Sequence, residues 1–550
     1  MKRFPWGGQQ WLILLLLALW GVFPTHAQAP NDASFLSTLG ELREATYSDK
    51  EMIVARLSQT NHPSVRPVLT AFLEDRLYYR NSDQAVFIAK VADADPLELV
   101  DPITLKVASS APADGFTKIG TNNGLRRVLK TALAHFALES PDASVRLDAV
   151  REMLQSLDDT TVAALRARLG VETNSDVKKE ISTGLALAAL DGSDQKARLE
   201  AIATLKSSVS QDVRNRLALL IEKSPDGSFS EKDDSVRQAA ASAVASIDRW
   251  RGFYSGIETL FFGLSLGSVL VLIAIGLAIT FGVMGVINMA HGEMMMLGAY
   301  TTYAVQLAMP SHIGISILVA IPAAFIVAGL AGILMERTII QHLYGRPLET
   351  LLATFGVSLI LQQAVRSIFS ANNRSVVTPE WMSGTLRVND ALGFTFNRLY
   401  IVIFTVIVFF LILTVLKRTR IGLDIRAVAQ NRSMAKAMGI RTEWVDAATF
   451  GLGSGVAGVA GVALSQLTNV GPNLGQSYII DSFLVVVFGG VGNLWGSLIG
   501  GMSMGIVNNL LEPWAGAVLA KIFVLVGLIL FIQVRPRGLF PPTGRAAEDK

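Results

Sequence analysis

Residues 257–282 read IETLFFGLSLGSVLVLIAIGLAITFG, and Glu258 is the single charged side chain among them. About 20 apolar residues in helical form cover the hydrocarbon core of a bilayer. The run therefore predicts a membrane-crossing helix. The apolar character continues beyond it: between Gly252 and Met335 the charged residues are Glu258 and Glu293, and after Arg251 the next basic residue is Arg337. Similar stretches recur near residues 291–309, 313–335, 349–369, 399–416, 446–466, 479–511 and 515–533. The stretch at 479–511 is too long for one simple crossing. Its glycines at 489, 490, 492 and 496 predict a broken helix or two short segments. The expectation is an all-α polytopic membrane protein with about eight to nine membrane segments, one of them broken.

Composition agrees. Of 550 residues 51% are hydrophobic and 17% charged, and the mean hydropathy is +0.43. A soluble chain carries nearer a quarter charged residues. The net charge of +3 argues against a nucleic-acid partner, which would call for a basic patch or stripe. Cysteine is absent, so the sequence offers no disulfide, thiolate nucleophile or cysteine-held metal.

The first 250 residues are different in kind. Residues 1–29 read as a signal peptide: Lys2 and Arg3 precede an apolar core at 11–20 and a small-x-small site, Ala27-Gln28-Ala29. An uncleaved anchor fits the same pattern, and either reading sends the following chain out of the cytoplasm. Residues 30–250 predict an extracytoplasmic, mainly helical domain. Ser64-Val65-Arg66, Ser144-Val145-Arg146, Asp176-Val177-Lys178, Asp212-Val213-Arg214 and Ser235-Val236-Arg237 each set a helix-capping residue before an apolar and a basic one. Their irregular recurrence suits HEAT-like helical pairs and equally a plain bundle whose helices start alike. Between 78 and 118, residues 78–80, 85–88 and 103–107 read as short strands, with turns at Asp95-Pro96 and Asp101-Pro102. His62 and His135 stand alone, and no catalytic constellation, metal cluster or cofactor motif is read.

Basic residues cluster at 337–346, 417–441 and from 535 onward, which places those segments in the cytoplasm together with a tail at 542–550. The polar stretch 371–397 then faces outward. The membrane half, 255–541, holds two functional signals. In GVMGVINMAHGE (282–293), Asn288, His291 and Glu293 interrupt the apolar runs among glycines that let the backbone leave the helix. Ionisable groups in such places are functional candidates, although a solvated interfacial turn has the same pattern. On the fourth span Thr354, Ser358 and Gln362 recur at every fourth residue, one polar stripe on an apolar helix. Such a stripe serves either a solute or helix–helix hydrogen bonding.

The second signal is DIRAVAQNRSMAKAMGI (424–440), small, apolar and charged residues at helical spacing in a basic loop. It reads as a short amphipathic helix that docks in a partner's groove, with Arg426, Ala427, Ala435 and Gly439 as its contact residues, or else as a solvated positive-inside loop. No G-x-x-x-x-G-K-[ST] loop occurs, so any ATP hydrolysis belongs to another subunit.

Four stretches, FGVMGVINMAHGEMMMLGAY (281–300), 424–440, FGGVGNLWGSLIGG (488–501) and VRPRGLF (534–540), together resemble the permease subunits of branched-chain amino acid ABC transporters. The long extension, including NNGLRR (122–127), and MMMLGAYTTYAVQ (294–306) resemble the urea group of that family. The resemblance implies an inner-membrane permease without enzymatic activity or cofactor. It also implies a second related permease subunit, two cytoplasmic ATPases and a periplasmic solute-binding protein as partners. Urea is the substrate so implied. Uptake of branched-chain or other small amino acids and an ATP-independent urea or amide channel are the rival readings. In the pathway reading Asn288, His291, Glu293, Thr354, Ser358 and Gln362 line the route.

Overall fold

The computed structural model describes residues 32–60, 62–223 and 229–541. The expected signal peptide and the tail at 542–550 lie outside the described residues. The chain forms two compact units, Met1–Ser208 with Asp212–Ser246, and Val209–Gln211 with Ile247–Lys550.

The first unit begins with α1 (Asp32–Gly40), α2 (Tyr47–Gln59) and α3 (Val65–Leu73), followed by β1 (Leu77–Arg80), β2 (Val86–Ala89), β3 (Leu97–Val100), β4 (Val107–Ala111) and β5 (Phe116–Lys118). The strands form one antiparallel sheet in the order β4-β3-β2-β1-β5. Alternation puts Leu77, Val86 and Ile88 into a core with α1 to α3, and Tyr78, Phe87, Leu97 and Leu99 into a second cluster. The strand expected at 103–107 is instead mostly turn. Asp101 accepts hydrogen bonds from the Ile103 and Thr104 amides at 3.0 and 2.7 Å, and this local turn overrides the β-branched composition. His62 is structural: it stacks on Phe35 and bonds Asp32 at 3.0 Å.

Helices α4 (Asn123–Ala137), α5 (Ala143–Met153), α6 (Asp159–Val171), α7 (Ser175–Ala189), α8 (Gln195–Leu205) and α9 (Gln211–Leu219) follow, then α10 (Asp234–Met284). Four of the five recurring triplets begin inside these helices, while Ser64 of the first sits at the N-cap position of α3. In three of them the cap lies two residues earlier: Asp142 accepts from the Ser144 amide, Asn174 from Asp176 and Asp233 from Ser235, at 2.8–2.9 Å. The basic residue ties the preceding loop: Arg146 donates to the carbonyls of Ser140 and Pro141, and Arg237 repeats this with Glu231 and Lys232.

Arg146 also grips Glu172 through two hydrogen bonds of 2.8 Å, and Arg168 adds a third at 3.0 Å. The Arg146 guanidinium, with the Asn174 and Thr173 amides and Arg168, holds the Glu172 carboxyl well below the usual carboxylate range despite burial. Its stabilisation is therefore present above the ordinary carboxylate pKa and lost only as pH falls through the lower folded value. Glu172→Ala strands a buried arginine and is expected to cost about 3 kcal/mol. Thermal melting of the purified chain at neutral pH reads this, and the gap between variant and wild type should shrink in strong acid.

In the second unit α10 is followed by α11 (His291–Ala308), α12 (Ile313–Thr338), α13 (Pro347–Phe369), the hairpin β6 (Thr385–Asn389) and β7 (Leu392–Thr395), and α14 (Phe396–Arg418). Next come α15 (Arg420–Gln430), α16 (Arg432–Ala437), α17 (Thr442–Ser465), α18 (Leu474–Gly489) and α19 (Leu494–Val534). Among the described residues six helices, α10, α12, α13, α14, α17 and α19, are long and apolar enough to cross a membrane, and α18 is a shorter apolar helix. The stretch expected at 479–511 is divided after Gly489. α19 in turn departs from helical geometry at Gly516, whose φ is +77°. The C-terminal motif covers the first break: the Leu539 and Phe540 amides donate to the carbonyls of Phe488 and Gly489, at 2.8 and 3.1 Å, filling acceptors a helix end leaves open. The β6–β7 hairpin was not expected from the sequence.

The small residues of α17 are packing surfaces. A Cβ on Gly298 of α11 would overlap the carbonyl of Gly458, and one on Gly453 would come within 2.7 Å of the Gly276 carbonyl of α10. A Cβ on Gly458 would also come within 2.6 Å of the Ala324 carbonyl of α12, so α17 is in backbone contact with α10, α11 and α12.

Candidate functional site

Helix α10 ends at Met284, Gly285 turns with φ +67°, and the chain stays irregular until α11 starts at His291. Asn288, His291 and Glu293 are all buried there. Asn288 Oδ1 accepts from the Ala290 amide at 3.0 Å, bracing the turn. His291 lies against Gly276, where a Cβ would leave no room, and its Nε2 meets the Ile273 carbonyl at 3.1 Å.

The stripe on α13 converges on the same place. Thr354 Oγ1 accepts from the Met289 amide at 3.1 Å. Ser358 Oγ and Gln362 Nε2 both donate to Glu293 Oε1, at 2.9 and 2.8 Å, and Gln362 also reaches Ser358 at 3.2 Å. Of these six buried residues from two separate stretches, Glu293, Ser358 and Gln362 bond one another, Thr354 bonds the Met289 backbone, Asn288 the Ala290 backbone and His291 the Ile273 backbone, and together they tie α10, α11 and α13. The hydroxyl and amide groups of the stripe are engaged with the neighbouring helix, so helix–helix bonding is part of their work. Among the described residues Asn288 Nδ2, His291 Nδ1 and Glu293 Oε2 have no hydrogen-bond partner. Buried polar atoms are rarely left so. They are the groups of this cluster free to meet a solute or water.

Arg366, one further step along the stripe, reaches away to Asn473 at 2.7 Å. Asp481 and Lys521, on α18 and α19, form an ion pair at 3.3 Å, so Lys521 has a protein partner as well as an exposed position.

The basic segment is not the single helix expected at 424–440. Asn431 breaks it, with its side chain capping α16 through the Met434 amide at 2.9 Å. Asn competes well for caps and poorly for helix interiors, which explains the break. Just beyond the end of α16, Gly439 turns with φ +88°, and the Ile440 amide returns to the Ala435 carbonyl. Ala435 faces inward: it is 5% exposed and packs with Ile425, Val428 and Val445. Ala427 is half-buried against the same cluster, while Arg426 is exposed and bonds its own helix at the Gly422 carbonyl. The large apolar side chains that residues 420–440 present outward are Ile421, Leu423, Met434 and Met438, at 55, 59, 60 and 77% exposure. A binding partner would meet these rather than Ala435.

Residues 259–533 match the family model for the branched-chain amino acid transport system permease component. The high-affinity branched-chain amino acid transport system permease protein LivH of Salmonella typhimurium is 31% identical over 305 residues, covering 54% of this chain and 97% of LivH. The corresponding permease BraD of Pseudomonas aeruginosa is 30% identical over 308 residues, covering 54% of this chain and 98% of BraD. The ribose import permease RbsC of Haemophilus influenzae is 24% identical over 253 residues, 44% of this chain and 74% of RbsC. No solved structure matches. A nearly complete relative aligns with the apolar half, and the chain belongs to the branched-chain amino acid transport system permease family.

Proposed function

We propose that this chain is the permease subunit of an ATP-driven importer for urea, with the polar cluster of α10, α11 and α13 on the solute route. The observation that carries the substrate is the chemistry of the buried groups. They are amide, hydroxyl, imidazole and one carboxylate already bonded to two of its neighbours. Among the described residues of the membrane unit, no lysine or arginine is buried. Urea, neutral and rich in donors and acceptors, is matched by such groups. An amino acid's carboxylate would call for a cation or an open helix N-terminus, and the N-terminus of α11 already carries Glu293. The relatives' names favour the second reading, uptake of branched-chain amino acids. The extension of residues 30–250, which lies outside the family match at 259–533, supports the first by its resemblance to the urea group.

The N-terminal unit, a HEAT-like array carrying a small sheet, lies in the periplasm. The basic segments 337–346 and 417–441 face the cytoplasm, and α11, α18 and the two halves of α19 complete a set of eight to nine membrane segments in the inner membrane. The other components are a second related permease, two ATPases and a periplasmic binding protein. The ATPases grip the 420–440 segment at Leu423, Met434 and Met438, with Arg426 and the Gly439 turn at its margins. Uptake of labelled urea and leucine in a strain lacking this chain decides the substrate. Restoration of urea uptake by the wild-type chain is expected, and restoration of leucine uptake alone would establish the amino acid reading.

A further inference from the structure

Arg432 opens α16, a position where the helix dipole disfavours a cation. Its placement answers to something outside its own helix. Nη1 donates to Asp446 Oδ1 at 3.0 Å and Nη2 to Oδ2, a two-pronged pair with a carboxylate that is 3% exposed. The guanidinium also lies over the Tyr344 ring, 4.1 Å from its centre. Asp446 belongs to α17, and beside it Val445 shares a buried cluster with Ile425, Val428 and Ala435 of the segment. The segment is thus fixed to α17 by one apolar contact and one rigid charged fork.

What α17 touches gives this joint its reach. Its glycines meet the backbones of α10 and α11 directly, at Gly453 with Gly276 and Gly458 with Gly298. Backbone-to-backbone packing leaves no flexible side chains to absorb a shift, so displacement of one helix moves the next. α11 carries Glu293, whose Oε1 holds Ser358 and Gln362 of α13.

We infer that Arg432 is the positioning residue that converts movement of the 420–440 segment into movement of α17, and through α11 into rearrangement of the Glu293 cluster. This rests on the reading of that segment as the ATPase-docking element. The joint transmits force without touching solute or nucleotide. Removing it should therefore separate two activities that a folding defect would lower together.

The test uses the full transporter in proteoliposomes. Arg432→Ala should leave the ATPase subunits bound and hydrolysing ATP, while ATP hydrolysed per solute imported rises about tenfold. Asp446→Asn should behave alike. Arg432→Asp combined with Asp446→Arg should recover most of the coupling that each exchange alone destroys. An unchanged ratio in Arg432→Ala overturns the inference. So does a parallel loss of insertion, ATPase binding and uptake, which would make the pair a structural tie. Met434→Asp with Met438→Asp tests the underlying reading separately by co-purification. If the ATPases remain bound, the docking reading falls and the Arg432 role with it. If they dissociate while Arg432→Ala stays coupled, the Arg432 role alone falls.

Discussion

Gly298→Ala is expected to prevent recovery of a stable permease, although it adds a single methyl group. That methyl would coincide with the Gly458 carbonyl, and both partners are helix backbone, which cannot step aside as a side chain can. Overpacking of this kind costs about 3 kcal/mol at the upper end of its usual range. Gly356→Ala is the control. It also lies within a membrane helix, α13, but its Cβ would meet nothing within 4 Å. By helix propensity it should be neutral or stabilising by up to about 1 kcal/mol. The yield of monodisperse protein after detergent extraction and its melting temperature read the contrast. Equal behaviour of the two variants would mean that α11 and α17 are not in backbone contact.

Glu293→Ala should have the second large effect. It removes the shared acceptor of Ser358 and Gln362 and leaves two buried donors unpaired, at about 1–3 kcal/mol each. Uptake should fall by about tenfold or more. Glu293→Gln keeps a carbonyl oxygen for the same donors and should retain insertion and melting temperature. Its uptake then reports what the carboxylate does beyond holding α13. If Glu293→Ala inserts and transports like the wild type, the cluster is not on the route.

The apolar helices were legible because length and hydropathy are one-dimensional properties of a span, and the bilayer demands both. The polar cluster was legible as two separate sets of residues. Glycines and polar groups marked 282–293, and four-residue spacing marked Thr354, Ser358 and Gln362. That Ser358 and Gln362 share the Glu293 carboxylate depends on how α11 and α13 meet, which no spacing within either helix encodes. The same limit hid the Arg432–Asp446 fork, whose members lie 14 positions apart on different helices. Where local chemistry competed with a general pattern, the local chemistry won. Asp101 turned a predicted strand into a turn, and Asn431 divided a predicted helix. The triplets of the N-terminal unit were visible, but in three of them the cap lay two residues upstream of the residue that suggested it.

On the proposed function, this permease passes a small neutral amide through the Glu293 cluster at the expense of ATP. The most direct measurement of this is solute-stimulated ATP hydrolysis by the complete transporter with its binding protein in proteoliposomes, with urea and leucine in parallel, for the wild type and Glu293→Ala. Stimulation by urea, little by leucine, and loss of the urea response in the variant are expected. Stimulation by leucine but not urea, or a urea response indifferent to Glu293, would contradict that function.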